Sequence, residues 1–74
     1  MKKQRFTAVL NKEDDWYVAL CPELDVASQG QTVEKALDNL KEAVELFLET
    51  AAPAEIKGRL RQNVIIAQFE AAYA

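Results

Sequence analysis

The sequence contains no histidine, and this absence removes several chemistries at once. It excludes Ser-His and Cys-His nucleophile pairs, histidine general acid–base catalysis and histidine metal ligands. Cys21 is the single cysteine, so neither an internal disulfide nor a cysteine-based zinc site can form. We therefore expect no cofactor and no metal, and a function other than enzymatic catalysis.

Long apolar runs and flexible stretches are also missing. No apolar run reaches the ~18 residues that span a membrane, and no apolar core follows the Met-Lys-Lys start as it would in a signal peptide. Half of the 74 residues are apolar and only two are glycine, which is typical of a folded globular chain. We expect a cytoplasmic protein without membrane association, consisting of a single domain over residues 1–74. At this size, self-association is expected to add stability.

The charge is slightly negative and unevenly distributed. A net charge of −3 does not favour nucleic acid as the main ligand. The basic residues concentrate near the start of the chain and between residues 57 and 61, and the segment between these regions is acidic. The basic positions are Lys2, Lys3, Arg5, Lys12, Lys57, Arg59 and Arg61.

The strongest periodic pattern lies between Val33 and Thr50 and predicts an amphipathic helix. Thr32 is a suitable N-cap, and Pro53 disfavours continuation beyond residue 52. The apolar positions recur at steps of three and four and form a face wide enough to cover a sheet. They are Val33, Ala36, Leu37, Leu40, Ala43, Val44, Phe47, Leu48 and Ala51. The opposite side carries Glu34, Asp38, Glu42, Glu45 and Glu49.

Alternating or continuous apolar residues predict four strands. The strands are expected over 4–11, Trp16–Leu20, Val26–Gln29 and Asn63–Phe69, with a hairpin turn over Asn11–Asp15. Gly30 is expected to supply a backbone angle that a side chain would resist, and Gly58 to end a short helical segment over 54–60. The predicted fold is a two-layer α+β domain with the order strand-strand-strand-helix-strand.

Four segments, taken in order, resemble the HicB-like antitoxin family. They are Trp16–Leu24 with its Cys-Pro-Glu-Leu end, Ser28–Thr32, Glu34–Leu37 and Asn39–Ala43. The resemblance runs from about Phe6 to Phe69. It implies a partly degraded ribonuclease H-like fold, homo-oligomer formation, no enzymatic activity, and binding to a HicA-like RNA-cutting toxin whose RNA-cutting surface it covers.

The sequence departs from this family pattern in two places and at its end. Gln31 stands where the family often has an acidic residue, and Lys35 where it often has Glu. Many family members carry a second, DNA-binding domain, whereas only a few residues follow the predicted fourth strand here. We therefore do not expect direct DNA binding.

The acidic helix face has two interpretations. Taken alone, it is more simply a solvated face that keeps a small protein soluble. Together with the resemblance, it becomes a candidate surface for a basic, RNA-cutting partner, centred on Glu42. The candidate partner-binding residues are Asp38, Glu42, Glu45, Leu46 and Glu49. The alternative function is a solitary oligomeric interaction or regulatory protein of the same fold, without a toxin partner.

Trp16 and Tyr17 are expected on opposite faces of their strand, so one packs beneath the helix and the other lies outside it. We place Tyr17, Val64, Ile65 and Ile66 in a candidate homo-oligomer interface, where aromatic residues are enriched. Cys21 is interpreted as a small apolar filler. An active nuclease is a third reading that we do not expect, because the first predicted strand contains no acid to hold metal ions.

Overall fold

The chain folds into a small antiparallel sheet covered on one face by a long helix, as shown by a computed structural model that describes residues 3–61 and 63–74. Lys2, one of the basic residues near the start of the chain, lies outside the described residues. The strands are β1 (Val9–Glu13), β2 (Trp16–Cys21) and β3 (Val26–Gly30), and the helices are α1 (Val33–Thr50) and α2 (Pro53–Leu60). The predicted α+β class is confirmed.

The sheet has the order β1-β2-β3, with both pairs antiparallel. Its register places Leu10 opposite Ala19, and Ala19 opposite Ser28. β1 starts later than the predicted strand over 4–11. It also ends later, because pairing continues to Glu13 and the hairpin closes on Asp14 and Asp15 alone. Asp14 has a φ of 51°, a conformation that Asp tolerates better than most residues.

The bounds of α1 agree with the prediction, and its first turn is capped as expected. The Thr32 hydroxyl oxygen accepts a hydrogen bond from the Lys35 backbone N–H at 3.0 Å. Of the predicted apolar face, Ala36, Leu40 and Val44 are buried, whereas the flanking Val33 and Leu37 are exposed. α1 packs mainly on β3 and less on β2, so one flank of its apolar face stays uncovered.

A compact apolar core lies between the sheet and α1. Its fully buried side chains from β2 and the following loop are Ala19, Cys21 and Leu24. Phe6, Ala8, Leu10, Tyr17, Val26, Phe47, Leu48 and Leu60 pack around it. Burial raises the pKa of the Cys21 thiol, and the neighbouring Glu23 carboxylate adds to the shift. The thiol therefore stays protonated, which agrees with its prediction as an apolar filler.

The prediction of a fourth strand over Asn63–Phe69 is wrong within this chain. The described residues 63–74 form neither strand nor helix. Val64, Ile65 and Ile66 have high strand propensity, but a strand also needs a partner that pairs with its backbone. We call residues 63–74 the arm.

α2 is longer than predicted, because Pro53 stands at its start and Gly58 lies inside it instead of ending it. Arg59 fastens α2 to the rest of the fold. One terminal nitrogen of its guanidinium donates a hydrogen bond to the Leu24 carbonyl oxygen, and the other lies 3.1 Å from Glu55. The guanidinium carbon also stacks 4.6 Å from the centre of the Phe47 ring, which joins α2 to α1.

Gly30 is required for a different reason from the one predicted. Its φ is not positive, so backbone angle does not explain it. A Cβ at this position would lie 2.6 Å from the Ala36 backbone nitrogen and 2.7 Å from the Lys35 carbonyl carbon. The first turn of α1 therefore rests directly on the end of β3. The Asn39 side-chain amide strengthens this contact by donating to the Gln29 carbonyl oxygen at 2.7 Å.

Gly30→Ala is expected to destabilise the protein by about 1–3 kcal/mol, since the added methyl group meets backbone that has little room to move. Gly58→Ala is the matched control. Its Cβ would meet nothing within 4 Å, and Ala is the better helix former by about 0.5–1 kcal/mol, so stability should rise. Urea unfolding of both variants measures the difference. Equal effects of the two substitutions would refute the close-packing explanation.

Candidate functional site

The candidate partner-binding residues form one continuous stripe along the solvent side of α1. Asp38, Glu42, Glu45 and Glu49 follow one another at steps of three or four residues, so they lie one above another on the helix surface. All four are exposed, and the stripe spans about 16 Å of helix axis. We call these four carboxylates the acidic stripe. It is available to a partner without any rearrangement of the core.

Leu46 lies beside the acidic stripe and gives it an apolar neighbour. Its side chain is 60% exposed, and it is not among the residues that pack on the core. Its carbonyl oxygen accepts a hydrogen bond from the Thr50 hydroxyl at 2.8 Å, which helps to close the last turn of the helix. A single exposed leucine is common on protein surfaces, so its interest comes from its position next to the stripe.

The acidic stripe forms no ion pair closer than 4 Å in the part of the chain that the structure describes. Within residues 3–61 and 63–74, the one ion pair closer than 4 Å joins Glu55 and Arg59 on α2. Glu42 has acidic neighbours one turn away on both sides, at Asp38 and Glu45. Like charges at this spacing destabilise a helix by a few tenths of a kcal/mol. At Glu42 the stripe therefore costs stability instead of adding to it.

A groove of about 460 Å³ opens between α1 and the segment that leads into β1. Its apolar walls include Phe6, Ala8, Leu37 and Leu48. Lys3, Lys41 and Glu45 provide its charged rim, and Glu45 also belongs to the acidic stripe. No pattern in the sequence predicts this groove, because it exists where the apolar face of α1 extends past the sheet.

Glu23 holds the segment that borders the groove. Its two carboxylate oxygens accept the Thr7 backbone N–H at 2.9 and 3.1 Å, and one of them accepts the Thr7 hydroxyl at 2.7 Å. Partial burial acts to raise the pKa of the Glu23 carboxyl, but the hydrogen bonds from Thr7 outweigh it and lower the pKa below its ordinary value. This residue belongs to the Cys-Pro-Glu-Leu motif, but its partner sixteen positions away had no sequence signal.

The candidate oligomer-interface residues do not share one surface. Tyr17 lies on the sheet face that α1 covers and packs partly against the core, so Trp16 is the aromatic residue on the uncovered face. Val64, Ile65 and Ile66 are exposed on the arm. Their role in an interface stays a prediction, and Trp16, 43% exposed, is a further candidate that the alternation did not single out.

The structure gathers no metal-binding cluster in the part of the chain that it describes. No group of three or more Cys, Asp or Glu side chains lies close enough together there to hold an ion. None of the described helices is both long and apolar enough to cross a membrane.

These features define a small α+β domain with an exposed acidic helix face and an apolar groove beside it. The chain belongs to a family of unknown function, DUF7387, whose profile matches residues 2–65. A UPF0150 protein of Helicobacter pylori is 40% identical over 68 residues, covering 90% of this chain and 94% of that protein. The UPF0150 protein ssr1765 of Synechocystis is 47% identical over 47 residues, covering 61% of this chain and 60% of that protein. No solved structure matches the chain significantly.

Glu42→Gln is expected to raise the free energy of unfolding by about 0.5 kcal/mol at low salt, because it removes repulsion from Asp38 and Glu45. The gain should shrink as salt is added. Glu34→Gln is the control and should gain less, since it relieves repulsion from Asp38 but also removes a negative charge from the first turn of α1, where the helix dipole favours it. Thermal unfolding at two salt concentrations measures both effects. A loss of stability in Glu42→Gln would show that the stripe is structural.

Glu23→Gln is expected to lower stability by about 1 kcal/mol at neutral pH, because a neutral amide cannot replace the carboxylate in all its bonds to Thr7. The folded-state pKa of Glu23 lies below its ordinary value of 4.5, so its contribution is complete above that value. The contribution is lost as the pH falls through the folded-state pKa, and the two proteins should then converge. Urea unfolding from pH 7 to pH 3 tests this, with the exposed Glu13→Gln as control. A constant difference across that range would contradict the assignment.

Proposed function

We propose that this protein is a HicB-like antitoxin core that neutralises a small, basic, HicA-like RNA-cutting toxin in the cytoplasm. The proposal places the acidic stripe and Leu46 on the toxin surface that would otherwise bind RNA. It treats the protein as a homo-oligomeric, non-enzymatic inhibitor without direct DNA binding. It also interprets the β1-β2-β3-α1 unit as the core of a partly degraded ribonuclease H-like fold.

One observation carries this proposal most directly: the four carboxylates of the acidic stripe are exposed and form no ion pair closer than 4 Å in the described part of the chain. A protein that cuts RNA needs a basic surface for phosphates. Four carboxylates over about 16 Å of rigid helix present such a surface with an alternative anionic ligand. The order of the four motifs between Trp16 and Ala43 supports the same function independently of the structure.

The acidic stripe should affect the rate of association more than the affinity. Exposed charges are screened over about 8 Å at physiological salt, so each carboxylate adds little to the affinity on its own. Acting together, the carboxylates accelerate encounter with a basic partner and orient it. Leu46 then supplies apolar contact at the centre of the interface. Association should therefore be fast and sensitive to salt.

Glu42→Lys is expected to weaken toxin binding about tenfold or more, mainly by slowing association, and to restore RNA cleavage in the presence of the variant. The experiment co-expresses the protein with the small basic protein encoded beside it, then measures complex formation, association rate and RNA cleavage. Asp15→Lys is the matched control, because it makes the same charge change on an exposed turn outside the stripe. The proposal fails if the two variants inhibit equally well, or if no such neighbouring protein exists.

The exposed apolar side chains of the arm favour a second candidate function. In that case the protein is a solitary oligomeric interaction or regulatory protein of the same fold. The protein encoded by the adjacent reading frame distinguishes the antitoxin function from the solitary function. Only an antitoxin requires a short, basic, histidine-containing neighbour. Unchanged growth when that neighbour is expressed alone would favour the solitary function.

A further inference from the structure

The arm leaves the domain with its apolar side chains in water. The radius of gyration is 14.4 Å, whereas a compact chain of this length has about 11 Å, and the longest dimension of the molecule is 48 Å. Ile65, Phe69 and Tyr73 are 85, 89 and 96% exposed. Such a concentration of exposed apolar surface in a twelve-residue segment marks an interaction site.

The arm has the residue pattern of a strand that lacks a partner. Alternate positions from Ile65 to Tyr73 are all apolar, and in a strand they share one face. The other face begins with Val64 and Ile66 and then becomes polar at Gln68 and Glu70. An extended conformation therefore gives the arm one fully apolar face and a second face that is apolar only at its start.

β1 offers the complementary backbone. It is an edge strand, because β2 pairs with one side of it and no strand in residues 3–61 or 63–74 pairs with the other. Half of the N–H and C=O groups along an edge strand lie unpaired, and such an edge readily accepts another strand. The apolar groove lined by Phe6, Ala8 and Leu48 lies between α1 and the segment that leads directly into this strand.

We propose that the arm of one copy adds as a fourth strand to the free edge of β1 in a second copy, and that the exchange is reciprocal. The face that contains Ile65 and Phe69 then enters the groove beside α1, and Val64 and Ile66 extend the outer face of the sheet beside Val9. Since no strand among the described residues pairs with this edge of β1, a second copy is the source of the additional strand. A reciprocal exchange closes as a two-fold dimer.

The size of the arm fits this dimer. Two arms that each bury their five large apolar side chains remove on the order of 1,000 Å² of apolar surface from water, which is enough for a specific interface. This inference deepens the homo-oligomer of the proposed function and does not depend on a toxin.

The first test compares two full-length double variants by light scattering and sedimentation. Ile65→Asp with Phe69→Asp places two charges on the apolar face of the arm and should weaken dimerisation by about 100-fold or more. Gln68→Asp with Ala72→Asp adds the same charge to the other face and should leave the dimer intact. Both should retain the circular dichroism of the folded domain, because the arm lies outside its core. Equal weakening by both variants would overturn the proposal.

The second test locates the arm. One batch carries a donor dye at Ala72→Cys, on the face of the arm that stays outside the groove, and a second batch carries an acceptor at Asn11→Cys on β1, with Cys21 protected by burial. Mixing the two should give energy transfer that the Ile65→Asp, Phe69→Asp variant abolishes. A dimer without transfer would overturn arm exchange while leaving the homo-oligomer standing. A monomer at all concentrations would overturn both, and neither result bears on toxin binding.

Discussion

The rest of the structure depends on the direct contact between the first turn of α1 and the end of β3. Gly30 has no side chain, so the backbone of Lys35 and Ala36 can rest on the strand. This contact sets the height and direction of the helix over the sheet. It buries Ala36, Leu40 and Val44, and by the same rotation it turns the acidic stripe outward. The candidate site is therefore positioned by a packing constraint on the opposite side of the helix.

The same placement explains why the helix covers only part of the sheet. α1 lies mainly over β3, so its apolar face is wider than the surface it covers. The uncovered flank becomes one wall of the groove, and Glu23 fixes the other wall, the segment that leads into β1, through Thr7. In a chain of this size, apolar surface left open is a substantial fraction of the total. A second copy that supplies an apolar strand would cover this open apolar surface.

The acidic stripe and the arm are proposed to act through different interactions. The acidic stripe carries like-charge repulsion at Glu42, and its proposed use is long-range attraction of a basic partner. The arm and the edge of β1 use backbone hydrogen bonds and apolar burial, which act only at contact. These surfaces meet at Glu45, which belongs to the stripe and to the rim of the groove. The two proposed contact surfaces are therefore neighbours on one small domain.

The sequence by itself determined the elements whose signals are local. The spacing of apolar residues, the Thr32 cap and Pro53 place α1 correctly, and alternation places β2 and β3, because these patterns depend on neighbours within a few positions. Only the tertiary structure decided which of Trp16 and Tyr17 lies beneath the helix, why Gly30 is required, and what Glu23 and Arg59 hold. It also showed that strand propensity in the arm is not sufficient for a strand. Each of these depends on contacts between distant residues, and a strand exists only when another backbone pairs with it.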